Sequence, residues 1–396
     1  MRIALLAAGS RGDYQPVVAV GRRLAARGHD VGVTATREYA DLVTSAGLRA
    51  ELVDVDAMAY YREHLARHGM PVDLRPQLRM LQGLAQHMAP AVLDRLHQMR
   101  GSYDGVVTTA MTAGWPGLSG WRVRPVLMMF VPALPSLRGD ASLFSVVEGR
   151  SWRNLRAALG ALPTAVRLVA PHPRALLGMA STRAFVAHTP RLVATGRVAG
   201  RQVRCVGYPF PDLPPGAALP GPLAAWLDEG EPPVYVGMGS HTLPAVRQVL
   251  EAAVRAAGEL GLRVVLQAGT GLEDGLDPAL VRPVNDVPHA LLLPRTSAVV
   301  HHGGAGTTAS ALLSGRPEVV VPFTMDQPFF ARRLHEIGVA APPLPAPRVT
   351  TPALRTALEQ ALAPEVVHRA REEAAAVAQE DGAGAAATAI EAALRA

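Results

Sequence analysis

The 396-residue chain contains no lysine; all 39 of its basic residues are arginine. That absence excludes a Schiff-base lysine, a pyridoxal phosphate anchor and the lysine of a P-loop. Cysteine is almost as scarce. Cys205 is the only one, so the chain closes no internal disulfide and gathers no cysteine cluster for a metal, which suits a reducing, cytoplasmic setting. No stretch approaches ~20 apolar residues without charge or proline, so neither a transmembrane helix nor stable membrane insertion is expected. The opening MRIALLAAGSRGD has one short apolar run before Arg11 and Asp13, and it reads as a strand and loop rather than a signal peptide. Aromatics make up 5% of the residues, too few for obvious base-stacking platforms. The net charge of +6 is scattered, with nothing denser than pairs such as Arg22-Arg23 and Arg332-Arg333, so no nucleic-acid partner is expected. The 13 histidines contain no HExxH pattern. Asp54-Val55-Asp56 is formally an Asp-x-Asp but lacks supporting ligands, and no metal site is expected.

What is present is enough apolar residue, 49%, for a large core. The length suggests two or three domains. Strands alternate with helical patterns in two successive halves, the mark of α/β folds with parallel sheets. In the first half the strands are expected at Arg2–Ala7, Val31–Thr34, Gly105–Thr108 and Val126–Phe130. A helix is expected over Tyr14–Arg27, closed by Gly28. Arg75–Met99 is a longer helical pattern, in which Pro90 should kink or split the helix and Met80, Met88 and Met99 read more readily as core than as pocket. His64, His68, His87 and His97 fall on helical stretches of this region, as surface or pocket-lining residues. Residues 208–222, YPFPDLPPGAALPGP, hold six prolines and two glycines and read as an interdomain linker. The pattern then restarts, with strands at Val234–Val236, Arg263–Gln267, Ala298–His301 and Glu318–Val321 and helices at Leu243–Leu260 and Ala305–Leu313. The tail Val366–Ala396 is helical and broken in two by Gly382-Ala383-Gly384. The domains expected are thus 1–207, the linker 208–222, 223–380, and a final helix 381–396 packing back on the first domain.

Four segments carry chemistry. In AVVHHGGAGTT, residues 298–308, a strand runs through a glycine-rich turn into a helix. Backbone N–H groups at a helix N-terminus, reinforced by the helix dipole, make an anion site. Gly303, Gly304 and Gly306 allow close approach of a phosphate, Thr307 and Thr308 offer hydroxyls, and a histidine adds a donor. PFTMDQP, residues 322–328, puts Asp326 and Gln327 at the carboxyl end of a strand, where α/β sheets bind ligands; an Asp–Gln pair suits sugar hydroxyls, whereas Asp326 alone would pass for a helix cap. VYVGMGSH, residues 234–241, repeats the strand-then-small-loop logic with Gly237, Gly239 and Ser240. GSRGDYQP, residues 9–16, places Asp13 in the loop leaving the first strand and Pro16 in a first helical turn. The bland readings of Asp13 are an N-cap or a salt bridge with Arg11.

Together these segments resemble the nucleotide-sugar glycosyltransferases that decorate antibiotics and other natural products. HHGGAGTT followed by PFTMDQ at this spacing is specific to that family, and GSRGDYQP is similar to the opening of its bacterial glycopeptide and sterol-like branch. The resemblance implies an α/β fold of the GT-B type, two Rossmann-like domains facing across a cleft. It implies a TDP- or UDP-sugar donor, which is a substrate, with no cofactor. It assigns the donor pyrophosphate to His302 and the turn Gly303, Gly304, Ala305, Gly306 and Thr307, the sugar hydroxyls to Asp326 and Gln327, and a donor contact to Ser240. Relatives often carry an aromatic residue near VNDVPH, residues 284–289, to meet the base; here backbone groups around Val287 are expected instead. Asp13 occupies the position of a catalytic Asp or His. The reaction implied is a metal-independent, inverting transfer of the sugar to a hydroxyl of a small-molecule aglycone, with Asp13 as general base and His302 stabilising the leaving group. The alternatives are a nucleotide-sugar epimerase of the same fold and a membrane-associated transferase acting on a lipid acceptor. The transferase reading is compatible with a homodimer.

Overall fold

The computed structural model describes residues 1–69, 74–121, 123–132, 151–156, 159–160, 183–193, 196–198, 201–239, 244–269, 272 and 276–395. The chain forms two compact units, Met1–Asp212 with Glu380–Ala396, and Leu213–Gln379. It therefore changes unit inside the proline-rich segment and again ahead of its last helix.

The first unit is built on an eight-stranded sheet of β1 (Arg2–Leu6), β2 (Asp30–Ala35), β3 (Arg49–Leu52), β4 (Gly105–Thr108), β5 (Pro125–Met129), β6 (Arg183–Val186), β7 (Gly196–Val198) and β8 (Arg201–Cys205), in the order β3-β2-β1-β4-β5-β6-β8-β7. All neighbouring pairs are parallel except β7 and β8. The central strands read as continuous apolar runs because both faces are covered. The order reverses between β1 and β4, and the loops leaving those two strands flank the crevice where sheets of this kind take ligands.

Four expectations change here. The first helix begins at Arg11, not Tyr14, because Ser10 and Asp13 cap one another. Asp13 therefore lies in the first helical turn rather than in a loop. Pro16 sits inside the helix, not in its first turn; the backbone bond it forfeits is offset by burial of Tyr14, Val17, Val20 and Leu24 on the same helix. The helix Leu74–Met99 runs through Pro90 without being split. Met88, Val92, Leu96 and Met99 anchor it on both sides of the proline in one core cluster with Ala4, Leu6 and Val106, so those methionines are core. The Asp-x-Asp residues are occupied locally: Asp56 caps the helix Ala57–His68 through the Ala59 N–H at 2.7 Å, and Asp54 pairs with Arg37 at 3.0 Å on the surface.

The last helix, Gly382–Arg395, packs on the helix Arg11–Ala26. Gly382 and Gly384 are not the break in the tail. The break lies at Ala378–Asp381, and both glycines belong to the new helix. Asp381 caps it, accepting from Gly384 N at 3.0 Å. Gly382 is required for another reason: a Cβ there would stand 2.3 Å from the Tyr208 carbonyl oxygen.

The second unit is built on a five-stranded parallel sheet of β9 (Val234–Gly237), β10 (Val264–Gln267), β11 (Val281–Val284), β12 (Ala298–His301) and β13 (Glu318–Val320), ordered β11-β10-β9-β12-β13. Its core gathers Trp226, Tyr235, Val265, Leu292, Leu293 and Val299. Trp226 and Leu227 come from the helix Gly221–Asp228, which starts within the proline-rich segment with Pro222 in its first turn. The order reverses between β9 and β12, so the loops after VYVG and AVVH border the crevice of this unit.

Candidate active site

In the second unit the three motifs converge on His302. It is the residue after β12, 9% exposed, and its ring lies against the loop after β9. Gly239 (φ +68°) and Gly304 form the seat: a Cβ on Gly239 would stand 2.9 Å from His302 Cε1, and one on Gly304 2.5 Å from His302 Nε2. Only glycine at both positions leaves room for the imidazole. Gln267 of β10 fixes the seat from below, donating from Nε2 to the Gly239 carbonyl at 2.7 Å. Ser240, expected as a donor contact, lies outside the described residues.

The helix Ala305–Ser314 starts immediately beyond, with Gly304 as its N-cap. Its first intrahelical bond runs from Thr308 N to the Gly304 carbonyl at 2.9 Å, so the amides of Gly306 and Thr307 precede the ladder and point from the positive end of the helix. Two of the expected contacts change. The Gly303 amide is committed, donating to His301 Nδ1 at 3.1 Å, and is no part of an open cradle. Thr308 is fully buried and its hydroxyl faces the interior, which leaves Thr307, partly exposed, as the available hydroxyl.

The PFTMDQP loop meets this turn directly. Gly303 has φ +87°, and a Cβ on it would stand 3.1 Å from the Gln327 carbonyl oxygen and 2.8 Å from Val320 Cγ1. Gln327 is buried, and its Oε1 accepts from the backbone amides of Phe323 (2.7 Å) and Thr324 (3.0 Å). Its carbonyl end thus holds the loop, and only the amide end remains for a ligand. Met325 takes φ +61°, the strained left-handed conformation that presents Asp326 at the head of the helix Gln327–Glu336. Asp326 holds the N-cap position without a side-chain capping bond to the helix. Val287 is partly buried and packs its side chain against the core cluster. Its neighbour Asp286 is the other non-glycine residue with positive φ among the described residues, at +52°.

In the first unit, Asp13 is half-buried behind Gly9, whose φ of +126° and missing side chain admit the carboxylate: a Cβ there would lie 2.3 Å from Asp13 Oδ2. Burial raises the Asp13 pKa above its ordinary value, against the opposing pull of the two Ser10 hydrogen bonds. Tyr14, the next residue, is stacked on Tyr39 at 4.3 Å between ring centroids and pins the helix start. Thr112, from the loop after β4, bonds to the Leu6 carbonyl at 2.7 Å, tying together the two loops that border the crevice.

Residues 3–110 match the Glycosyltransferase family 28 N-terminal domain, and residues 247–395 match the erythromycin biosynthesis protein CIII-like C-terminal domain. The chain is 34% identical to the O-mycaminosyltylonolide 6-deoxyallosyltransferase of Streptomyces fradiae, over 96% of this chain and 95% of that one. It is 30% identical to the vancomycin aglycone glucosyltransferase of Amycolatopsis orientalis, over 93% and 92%. Among solved structures, the Streptomyces sp. SF2575 glycosyltransferase SsfS6, complexed with thymidine diphosphate, superposes with a TM-score of 0.62 at 22% identity, over 99% of each chain.

Proposed function

Since the chain belongs to the natural-product glycosyltransferases of the GT-B fold, we propose that it transfers a sugar from a TDP- or UDP-sugar to a hydroxyl of a small-molecule aglycone, with inversion at the anomeric carbon. The observation that carries this reading is the seat of His302. Its imidazole rests on Gly239 and Gly304 at the sheet's switch point, beside a helix N-terminus and the Asp326–Gln327 loop. That arrangement suits a diphosphate next to a hexose.

In the step proposed, the acceptor oxygen attacks the anomeric carbon as the bond from that carbon to the diphosphate oxygen breaks. The acceptor proton passes to Asp13, whose raised pKa brings it nearer the working range of a base. The diphosphate leaves carrying the bonding electron pair. His302 and the amides of Gly306 and Thr307 meet its growing charge, a role that asks nothing of a metal or cofactor. Asp326 and the amide end of Gln327 hold the sugar, and the backbone near Val287 meets the base. Ser240, from its place after β9, is assigned to the same donor.

The test is mass spectrometry of mixtures pairing TDP- and UDP-sugars with a panel of aglycones. One sugar residue gained by an aglycone, with release of nucleoside diphosphate, is the expected result. Conversion of donor to an isomeric nucleotide sugar without any acceptor would instead identify an epimerase. A product formed only with vesicle-bound lipid acceptors would identify a membrane-directed transferase.

A further inference from the structure

Beneath the His302 seat lies a buried polar pair that the proposed reaction does not use. His301 closes β12 and Glu318 opens β13, and both side chains are fully buried. In the parallel register Val299 faces Glu318 and His301 faces Val320, so the two side chains are diagonal neighbours on one face. His301 Nε2 lies 2.7 Å from Glu318 Oε2. Every other residue of β12, Ala298, Val299 and Val300, is apolar and fully buried. Apolar side chains would be the simpler filling here, since burying a polar pair recovers little beyond its own desolvation.

Besides the edge-on approach of the His301 ring to that of His302, with centroids 6.5 Å apart, the pair reaches the site through a hydrogen bond. The Gly303 amide donates to His301 Nδ1 at 3.1 Å, which requires that nitrogen to be unprotonated. The proton is then on Nε2 and is donated to Glu318. Burial favours this neutral form, lowering the His301 pKa to about 3 and raising that of Glu318 well above the usual carboxylate range. Glu318 Oε1 has no hydrogen-bond partner among the described residues, a further reason for the acid form in a fully buried place. Gly303 is thus held by His301 on one side and by Val320 and the Gln327 backbone on the other. Rotation of its peptide would re-aim Gly304, and with it both the His302 seat and the helix N-terminus.

We infer that His301, with its tautomer fixed by Glu318, is a positioning residue for the donor diphosphate: it holds the Gly303 amide and so presets the turn that His302, Gly306 and Thr307 present to the ligand. The inference rests on the diphosphate reading of that turn. Asparagine at 301 keeps an acceptor near the δ position and loses the reach to Glu318. Glutamine places its polar end near the ε position and leaves the Gly303 amide without its acceptor. His301→Asn and Glu318→Gln should therefore bind TDP or UDP within about twofold of the unsubstituted chain, while His301→Gln binds about three- to tenfold more weakly, the range for one neutral hydrogen bond. The corresponding nucleoside monophosphate should distinguish the variants less.

Calorimetry with TDP, UDP and their monophosphates measures this directly. If the unsubstituted chain binds neither diphosphate, the functional reading fails and takes this inference with it. If it binds one but His301→Asn and His301→Gln bind it equally, the inference alone is overturned. Nitrogen-15 NMR of histidine in the unsubstituted chain gives a second readout that no folding defect affects. A neutral Nε2–H tautomer at His301, with the Gly303 amide resonance moving when diphosphate is added, supports the inference; an Nδ1–H tautomer or an imidazolium overturns it.

Discussion

Asp13 Oδ2 accepts two hydrogen bonds from a single residue, one from the Ser10 amide at 2.8 Å and one from the Ser10 hydroxyl at 3.0 Å. The carboxylate proposed as the base is thus also the partner that starts its own helix. The two roles separate by substitution. Asparagine keeps an oxygen for Ser10 but is not a base. Asp13→Asn should retain its melting temperature and its nucleoside diphosphate affinity while turnover falls by about 10²–10⁴-fold, the usual contribution of general-base assistance. Asp326→Asn, measured beside it, should weaken donor binding instead. Near-normal turnover in Asp13→Asn, with Asp326→Asn inactive but still binding donor, would transfer the base assignment to Asp326.

The raised pKa of Asp13 has a sign that pH can read. The base works deprotonated, so the rate falls as pH drops through the folded-state pKa. That pKa lies above the ~3.9 of an ordinary aspartate, so the acid limb of kcat/KM should lie higher than an unperturbed carboxylate would put it. Stability runs the other way. A carboxyl whose folded pKa is raised favours the folded state at low pH, and that contribution is lost as pH rises from the unfolded to the folded value. Asp13→Asn should flatten the acid limb, and a profile unchanged by the substitution would contradict the assignment.

The seat of His302 predicts a steric test. Gly304→Ala would put a methyl group 2.5 Å from His302 Nε2, and Gly239→Ala would add a left-handed backbone at φ +68° to the collision. Holding a non-glycine residue in such a region costs about 1–3 kcal/mol. Both variants should weaken nucleoside diphosphate binding at least as much as His302→Ala does, with Gly239→Ala losing more thermal stability than Gly304→Ala. Calorimetry and thermal melting distinguish them.

Gln327 has one end committed to its loop and one end proposed for the sugar. Gln327→Ala removes the acceptor shared by the Phe323 and Thr324 amides, at a cost of about 1–3 kcal/mol in stability. Gln327→Glu keeps that acceptor and loses only the amide donor. The alanine variant should melt earlier and weaken both intact donor and free nucleoside diphosphate. The glutamate variant should melt normally and weaken the intact donor selectively.

A chelator supplies the last test. The diphosphate is proposed to meet one imidazole and the amides of a helix N-terminus, with no metal bridge. Turnover should survive excess chelator. Complete loss, restored by Mg²⁺ or Mn²⁺, would overturn that assignment.

Much of the candidate site is legible in the sequence because His302, Gly303, Gly304 and Gly306 fall in one run at a strand end, and Gly239 falls just after another strand. A strand followed by HHGGAGTT and then a helix leaves few other structures. Pairings between strands carry no such local mark. Glu318 looked like the first residue of a buried strand, and only the register of β12 against β13 brings it to His301. The same holds for Ser10, an ordinary serine until Asp13, three residues on, turns back to it. Pro90 misled for a physical reason: local propensity predicts a split helix, but core contacts on both sides of the proline outweigh one lost backbone bond. Gly382 misled in the opposite sense, because its need is the approach of Tyr208 rather than freedom of the backbone.

The last helix bears on how this enzyme could be re-engineered by exchanging parts with relatives. Arg27 binds the Gly384 carbonyl and Glu391, His29 Nε2 lies 2.8 Å from Glu391, and Leu394 packs over Gly105 of β4. The second unit is therefore an insert with two seams, near 212–213 and 379–380, rather than a detachable tail. A chimera joined only at the proline-rich segment would carry a foreign final helix against the helix Arg11–Ala26, whose first turn holds Asp13. Grafts that respect both seams leave the surroundings of that carboxylate as this chain made them.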